Sequence, residues 1–136
     1  METIRKGVTN EEMSTKLPYI IAVDFDGTLV DDNYPYIGGI KWNVWRKLEE
    51  ARNNGAKIVL WTCRDGVYLH EAVEFCKSNG LGFDSVNENL REVQELFNND
   101  TRKVYADEYW DDKSIQAFST IPLTRTRGTG EHMKER

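Results

Sequence analysis

Five residues in a row, Tyr19-Ile20-Ile21-Ala22-Val23, run without a polar interruption and stop at Asp24. A strand with one wet face alternates apolar and polar side chains, so an unbroken run implies a strand buried on both faces. Strands of that kind belong to parallel sheets covered by helices, which narrows the chain to an α/β architecture. The following segments agree. Over residues 41–53, Trp42, Trp45, Leu48 and Ala51 recur at helical spacing, and Asn54-Gly55 ends the helix. Lys57-Ile58-Val59-Leu60-Trp61 is a second buried strand. Leu69, Ala72, Val73 and Cys76 mark a second helix that stops at Asn79-Gly80. Residues 83–86 form a weaker strand, 91–97 a helix, 104–110 a fourth strand and 114–118 a short helix. This alternation predicts right-handed crossovers and a single doubly wound, Rossmann-like parallel sheet.

A length of 136 residues suits one domain, expected over 18–121. Residues 1–17 are polar and without sustained period, and read as a flexible arm. Residues 122–136 have almost no apolar content and read as a flexible basic tail. The net charge of −5 argues against a broad nucleic-acid surface. Two cysteines, Cys63 and Cys76, make no disulfide framework and read as reduced thiols of a cytoplasmic protein. No apolar run reaches the length of a membrane span, and the first residues lack a signal peptide's apolar core.

Doubly wound sheets bind ligands beyond the carboxyl ends of their strands. The first strand is followed there by Asp24-Phe25-Asp26-Gly27-Thr28, the second by Thr62-Cys63-Arg64 and the fourth by Asp111-Asp112-Lys113, with Lys103 just before that last strand. Carboxylates crowded on one rim raise each other's pKa, and a hard divalent ion such as Mg²⁺ removes that penalty. Thr62 and a nearby cation suit the oxygens of a phosphate.

Asp24-Phe25-Asp26-Gly27-Thr28-Leu29 directly after a hydrophobic strand resembles the first motif of the haloacid-dehalogenase (HAD) superfamily. Leu60-Trp61-Thr62 resembles its second motif, Lys103 the third-motif lysine, and the acidic cluster Asp107, Asp111, Asp112 the fourth. The resemblance implies a Mg²⁺-dependent phosphomonoesterase working through an aspartyl phosphate. It makes Asp24 the nucleophile and Asp26 the acid and base, whose backbone carbonyl also reaches the metal. Thr62 and Lys103 would hold the phosphoryl group. From their place near the rim, and not from the resemblance, Thr28, Arg64 and Asn87 are expected toward the substrate, and Tyr34 and Tyr36 on the loop 31–39 are expected to cover the site as a flap. The metal would fall to Asp24, Asp26, Asp111 and Asp112. The fourth motif reads in two registers, Asp107 with Asp111 or the adjacent Asp111-Asp112. The adjacent pair is favoured because it leaves 104–110 as one strand of ordinary length. The spans 29–60 and 64–102 are too short for an inserted cap domain, so the site is expected to be open. Capless relatives act on large phosphorylated molecules, polynucleotide ends included, or close the site as homo-oligomers. Nucleic acid thus enters only as substrate.

Plainer readings stand beside these. Asp-x-Asp-Gly alone is also an Asp-rich turn, and Thr62 a helix cap. Arg64 is as readily a solvated surface residue as a phosphate ligand. Asn87-Glu88-Asn89, similar to a short segment of small bacterial and phage members, either lines the site or makes a turn. Trp42 and Trp45 read as packing, His70 as helix surface and Cys63 as a packed small residue. Two other functions share the fold: a receiver-like phospho-acceptor module, whose motif order differs, and a catalytically idle HAD-fold binding protein.

Overall fold

The computed structural model describes residues 7–117. The elements follow in the order α1 (Asn10–Lys16), β1 (Ile20–Val23), α2 (Trp42–Asn53), β2 (Lys57–Leu60), α3 (Gly66–Ser78), β3 (Ser85–Val86), α4 (Arg91–Phe97) and β4 (Glu108–Trp110). The four strands form one sheet in the order β3-β2-β1-β4, and every pairing is parallel. β1 is central, with Ile20 opposite Lys57 on β2 and Ile21 opposite Glu108 on β4.

The unbroken apolarity of β1 follows from that position. Its side chains alternate between two cores. Ile21 and Val23 pack with Trp45 and Leu48 of α2 and Ala72 and Cys76 of α3. Ile20 and Ala22 pack on the other face with Val59, Leu90, Val93 of α4, Val104 and Ala106. Helices thus cover both faces of a doubly wound α/β sheet, and the described residues include no cap domain. The chain leaves β1 through β2 to β3 on one side and returns through α4 to β4 on the other. The strand order therefore reverses at β1 and β4, where sheets of this kind open a crevice. No helix among the described residues is long and apolar enough to cross a membrane.

Local structure departs from expectation in four places. Asn10–Lys16 is a helix, held by a capping box in which Thr9 and Glu12 exchange side-chain and backbone hydrogen bonds, both 3.0 Å. It buries no residue, so no apolar stripe marks it in the sequence. The fourth strand is confined to Glu108–Trp110, and the third to Ser85–Val86. Residues 114–117 are not helical. Residue 118 and the basic tail at 122–136 lie outside the described residues.

Candidate active site

Asp24 is the first residue beyond the central strand. Its backbone N–H donates to the Trp110 carbonyl at 3.0 Å, which joins the ends of β1 and β4. Its carboxylate Oδ1 accepts the Phe25 N–H at 2.7 Å, so one oxygen is fixed and the other is left to the site. From there the chain turns tightly. The Phe25 carbonyl accepts the N–H groups of Thr28, Leu29 and Val30, and Gly27 donates to the Val30 carbonyl at 2.8 Å. Gly27 has φ +85°, and a Cβ there would run into the Asp112 carboxylate. The position needs glycine on both counts.

That close approach delivers β4's acidic end. Thr28, expected against substrate, is buried, and its hydroxyl accepts the Asp112 N–H at 3.0 Å. It acts on the site by fixing Asp112. Carboxylate oxygens of Asp24, Asp111 and Asp112 lie within 4.8 Å of one another. Burial raises the Asp24 carboxyl to about 6 from an ordinary 3.8; Phe25's hydrogen bond opposes the shift, and the charges of Asp111, Asp112 and Asp26 add to it. A divalent ion relieves that repulsion, and three carboxylates are the hard oxygen donors Mg²⁺ takes. The donor set fits the metal.

Asp107 does not reach this cluster. Its Oδ2 accepts the Ile20 N–H at 2.8 Å and its own N–H donates to the Ile20 carbonyl, which places it at the opposite end of β1. The alternative register of the acidic motif is therefore corrected: Asp111 and Asp112 meet Asp24.

Asp26 faces elsewhere. Its carboxylate is clasped by Arg64, Nε to Oδ2 and Nη2 to Oδ1, both 2.8 Å. Arg64 is 1% exposed, so neither a solvated surface arginine nor a freely available phosphate ligand describes it. It lies 4.9 Å from the Phe25 ring centroid and 5.0 Å from that of Tyr34. Thr62, at the end of β2, accepts the Arg64 N–H at 3.1 Å with its hydroxyl. Asn87, with φ +55°, accepts the Thr62 N–H at 2.8 Å. Asn87 thus sits at the rim and shapes the β2 end. Asn89 is buried and ties back residues 100–105, accepting the Tyr105 N–H at 2.6 Å and donating to Asp100 at 2.8 Å.

Lys103 and Asp24 line one cleft of about 830 Å³ together with Trp61, Tyr109, Trp110 and Asp111. The Lys103 ammonium lies 5.0 Å from the Tyr109 ring centroid. Tyr34 and Tyr36 are exposed on the loop 31–39, where the Tyr34 ring and the Tyr36 carbonyl meet Arg64. Lys41 was not foreseen. Its Nζ donates to the Gly27 carbonyl at 3.0 Å, and with Lys47, Asp111 and Asp112 it borders a second opening of about 300 Å³. Lys41 stands between Gly39-Ile40 and an amphipathic helix, with nothing local to mark it.

The fold and rim define an α/β protein of the doubly wound class with an acidic site at the switch point of its sheet. No family model matches the chain, and no curated protein matches it. Among solved structures it is similar to a conserved protein coded by a locus from Bacteroides thetaiotaomicron. That similarity has 36% identity and a TM-score of 0.63, over 71% of this chain and 77% of the other. The chain belongs to the same family as that protein.

Proposed function

We propose that the chain is a Mg²⁺-dependent phosphomonoesterase of the HAD type with Asp24 as nucleophile. One observation carries the reading: Asp24 leaves the central strand at the switch point, and Asp111 and Asp112 from the neighbouring strand's end converge on it. Asp24, Asp111 and Asp112 would hold the ion, which supplies neutralising charge and Lewis acidity to a phosphoryl group. The Asp24 oxygen not bound by Phe25 attacks phosphorus, the ester oxygen leaves, and an aspartyl phosphate remains until water displaces the carboxylate. Thr62 and Lys103 donate to phosphoryl oxygens, where charge builds in the transition state. Asp26 serves proton transfer from the place where Arg64 holds it. With no cap among the described residues, the open rim suits a nucleotide, a polynucleotide end or another phosphorylated molecule.

Incubation with Mg²⁺ and a panel of phosphomonoesters, followed by mass analysis of Asp24-containing peptides, tests this. Turnover that vanishes in Asp24→Asn is the expected result. Turnover retained by a folded Asp24→Asn variant refutes it. The clasp on Asp26 favours one other reading, a phospho-acceptor module, because a base tied to arginine is poorly placed to deliver water. A phosphorylated Asp24 that accumulates without release of phosphate would select that reading.

A further inference from the structure

The Arg64 guanidinium does more than neutralise Asp26. Besides the two bonds to the Asp26 carboxylate, Nη2 donates to the Tyr36 carbonyl at 3.1 Å and Nη1 to the Tyr68 carbonyl at 3.2 Å. Its planar head packs against the Phe25 and Tyr34 rings. The Tyr34 ring in turn meets Tyr68, with centroids 5.8 Å apart. One buried side chain therefore joins three segments that are distant in sequence: the turn after β1, the loop 31–39 and the first turn of α3. The loop is itself compact. Asp31 donates to the Gly39 carbonyl at 2.8 Å and Tyr36 to the Asn33 carbonyl at 2.9 Å. At Gly38 a Cβ would strike the Asp31 backbone. The loop is closed on itself, and Arg64 links it to the Asp26 carboxylate.

We infer that Arg64 is a positioning residue that makes the loop 31–39 and the Asp26 carboxylate one mechanical unit, so that neither changes place without the other. The geometry suits arginine specifically. A planar fork can satisfy a carboxylate edge and two carbonyls at once, whereas a lysine ammonium is a compact charge on a flexible stem and cannot span them. Leaving the pair half-made strands a buried charge, so the unit holds together or opens as a whole. On the phosphatase reading, a substrate that engages the exposed Tyr34 and Tyr36 would thereby fix the residue responsible for proton transfer.

Amide hydrogen exchange on the full chain tests the coupling without reference to activity. In Arg64→Lys and in Asp26→Asn, amides of 31–39 should exchange at least about tenfold faster, while those of β1 and β2 hold their rates. Asp26→Asn removes no volume and keeps Arg64, so it remains informative if Arg64→Lys folds poorly. Unchanged exchange in the loop, or equal acceleration in loop and strands, overturns the inference. A kinetic arm rests on the proposed function. Arg64→Lys should lower kcat on an alkyl phosphate with little change in KM, and the double variant should be no worse than Asp26→Asn alone. Additive losses in kcat also overturn it. Absence of any wild-type turnover refutes the phosphatase reading, and the exchange result then decides the coupling by itself.

Discussion

Removing the charge from Asp24 should stabilise the metal-free protein at neutral pH. The folded carboxyl titrates at about 6 against an ordinary 3.8, with burial as the main cause. Between those values the folded state holds a proton that the unfolded chain has released. Its stability therefore falls as pH rises through that window, and the full penalty stands above about pH 6. A shift of about 2 units corresponds to roughly 3 kcal/mol at 1.36 kcal/mol per unit. Asp24 is only partly buried, so solvent screening reduces this to about 1–2 kcal/mol. Asp24→Asn keeps an oxygen to accept the Phe25 N–H and removes the charge from its acidic neighbours. Urea unfolding in excess chelator should place the variant about 1–2 kcal/mol above wild type near pH 7.5, with most of that gain gone near pH 4. Saturating Mg²⁺ should then close the gap by stabilising wild type more than the variant. A variant less stable than wild type near pH 7.5, or a difference that does not change with pH, would refute the account of Asp24 as a strained carboxylate.

Asp111→Asn should raise the Mg²⁺ concentration needed for thermal stabilisation several-fold, whereas Asp107→Ala should leave it unchanged and lower stability through the lost Ile20 bond. A Mg²⁺ titration of melting temperature distinguishes them. Gly27→Ala should cost about 1–3 kcal/mol, because φ +85° is unfavourable for alanine and its methyl meets the Asp112 carboxylate. The same titration should show weakened Mg²⁺ binding. Of the two thiols, Cys63 is exposed while Cys76 is buried and pushed up to about 12 by that burial. Native alkylation near pH 8 should label Cys63 alone, and labelling of Cys76 at a comparable rate would contradict the packing of α3.

The fold was legible because the two inner strands and each long helix carry their burial in their pattern. β1 and β2 are buried on both faces and read as continuous apolar runs, and α2 and α3 show their inward stripe through Trp45, Leu48, Ala72 and Cys76. Elements that bury little escaped. α1 buries nothing, and only the local Thr9-to-Glu12 capping box announces it. The segment 104–107 is apolar at Val104 and Ala106 because it packs on the second core, not because it extends the strand. Apolar spacing records burial and is blind to whether the backbone is hydrogen-bonded to a neighbour.

The acidic rim was legible for a different reason. Asp24, Asp111 and Asp112 owe their place to strand ends, and strand ends follow from where apolar runs stop. A strand over 104–110 favours the adjacent pair, yet the strand is only Glu108–Trp110; the Ile20 bond of Asp107, not strand length, sets that residue apart from the cluster. The partner of Asp26 had no such handle. A buried arginine is tolerable only where its charge and its N–H groups are all met, and the groups that meet Arg64 come from Asp26, the Tyr36 carbonyl and the Tyr68 carbonyl. Two of those three partners are backbone atoms, which leave no trace in residue identity. Lys41 reaches the site the same way, through the Gly27 carbonyl. Side chains that act on a site through main-chain carbonyls are thus the part of its machinery that a sequence conceals, however plainly it displays the carboxylates they serve.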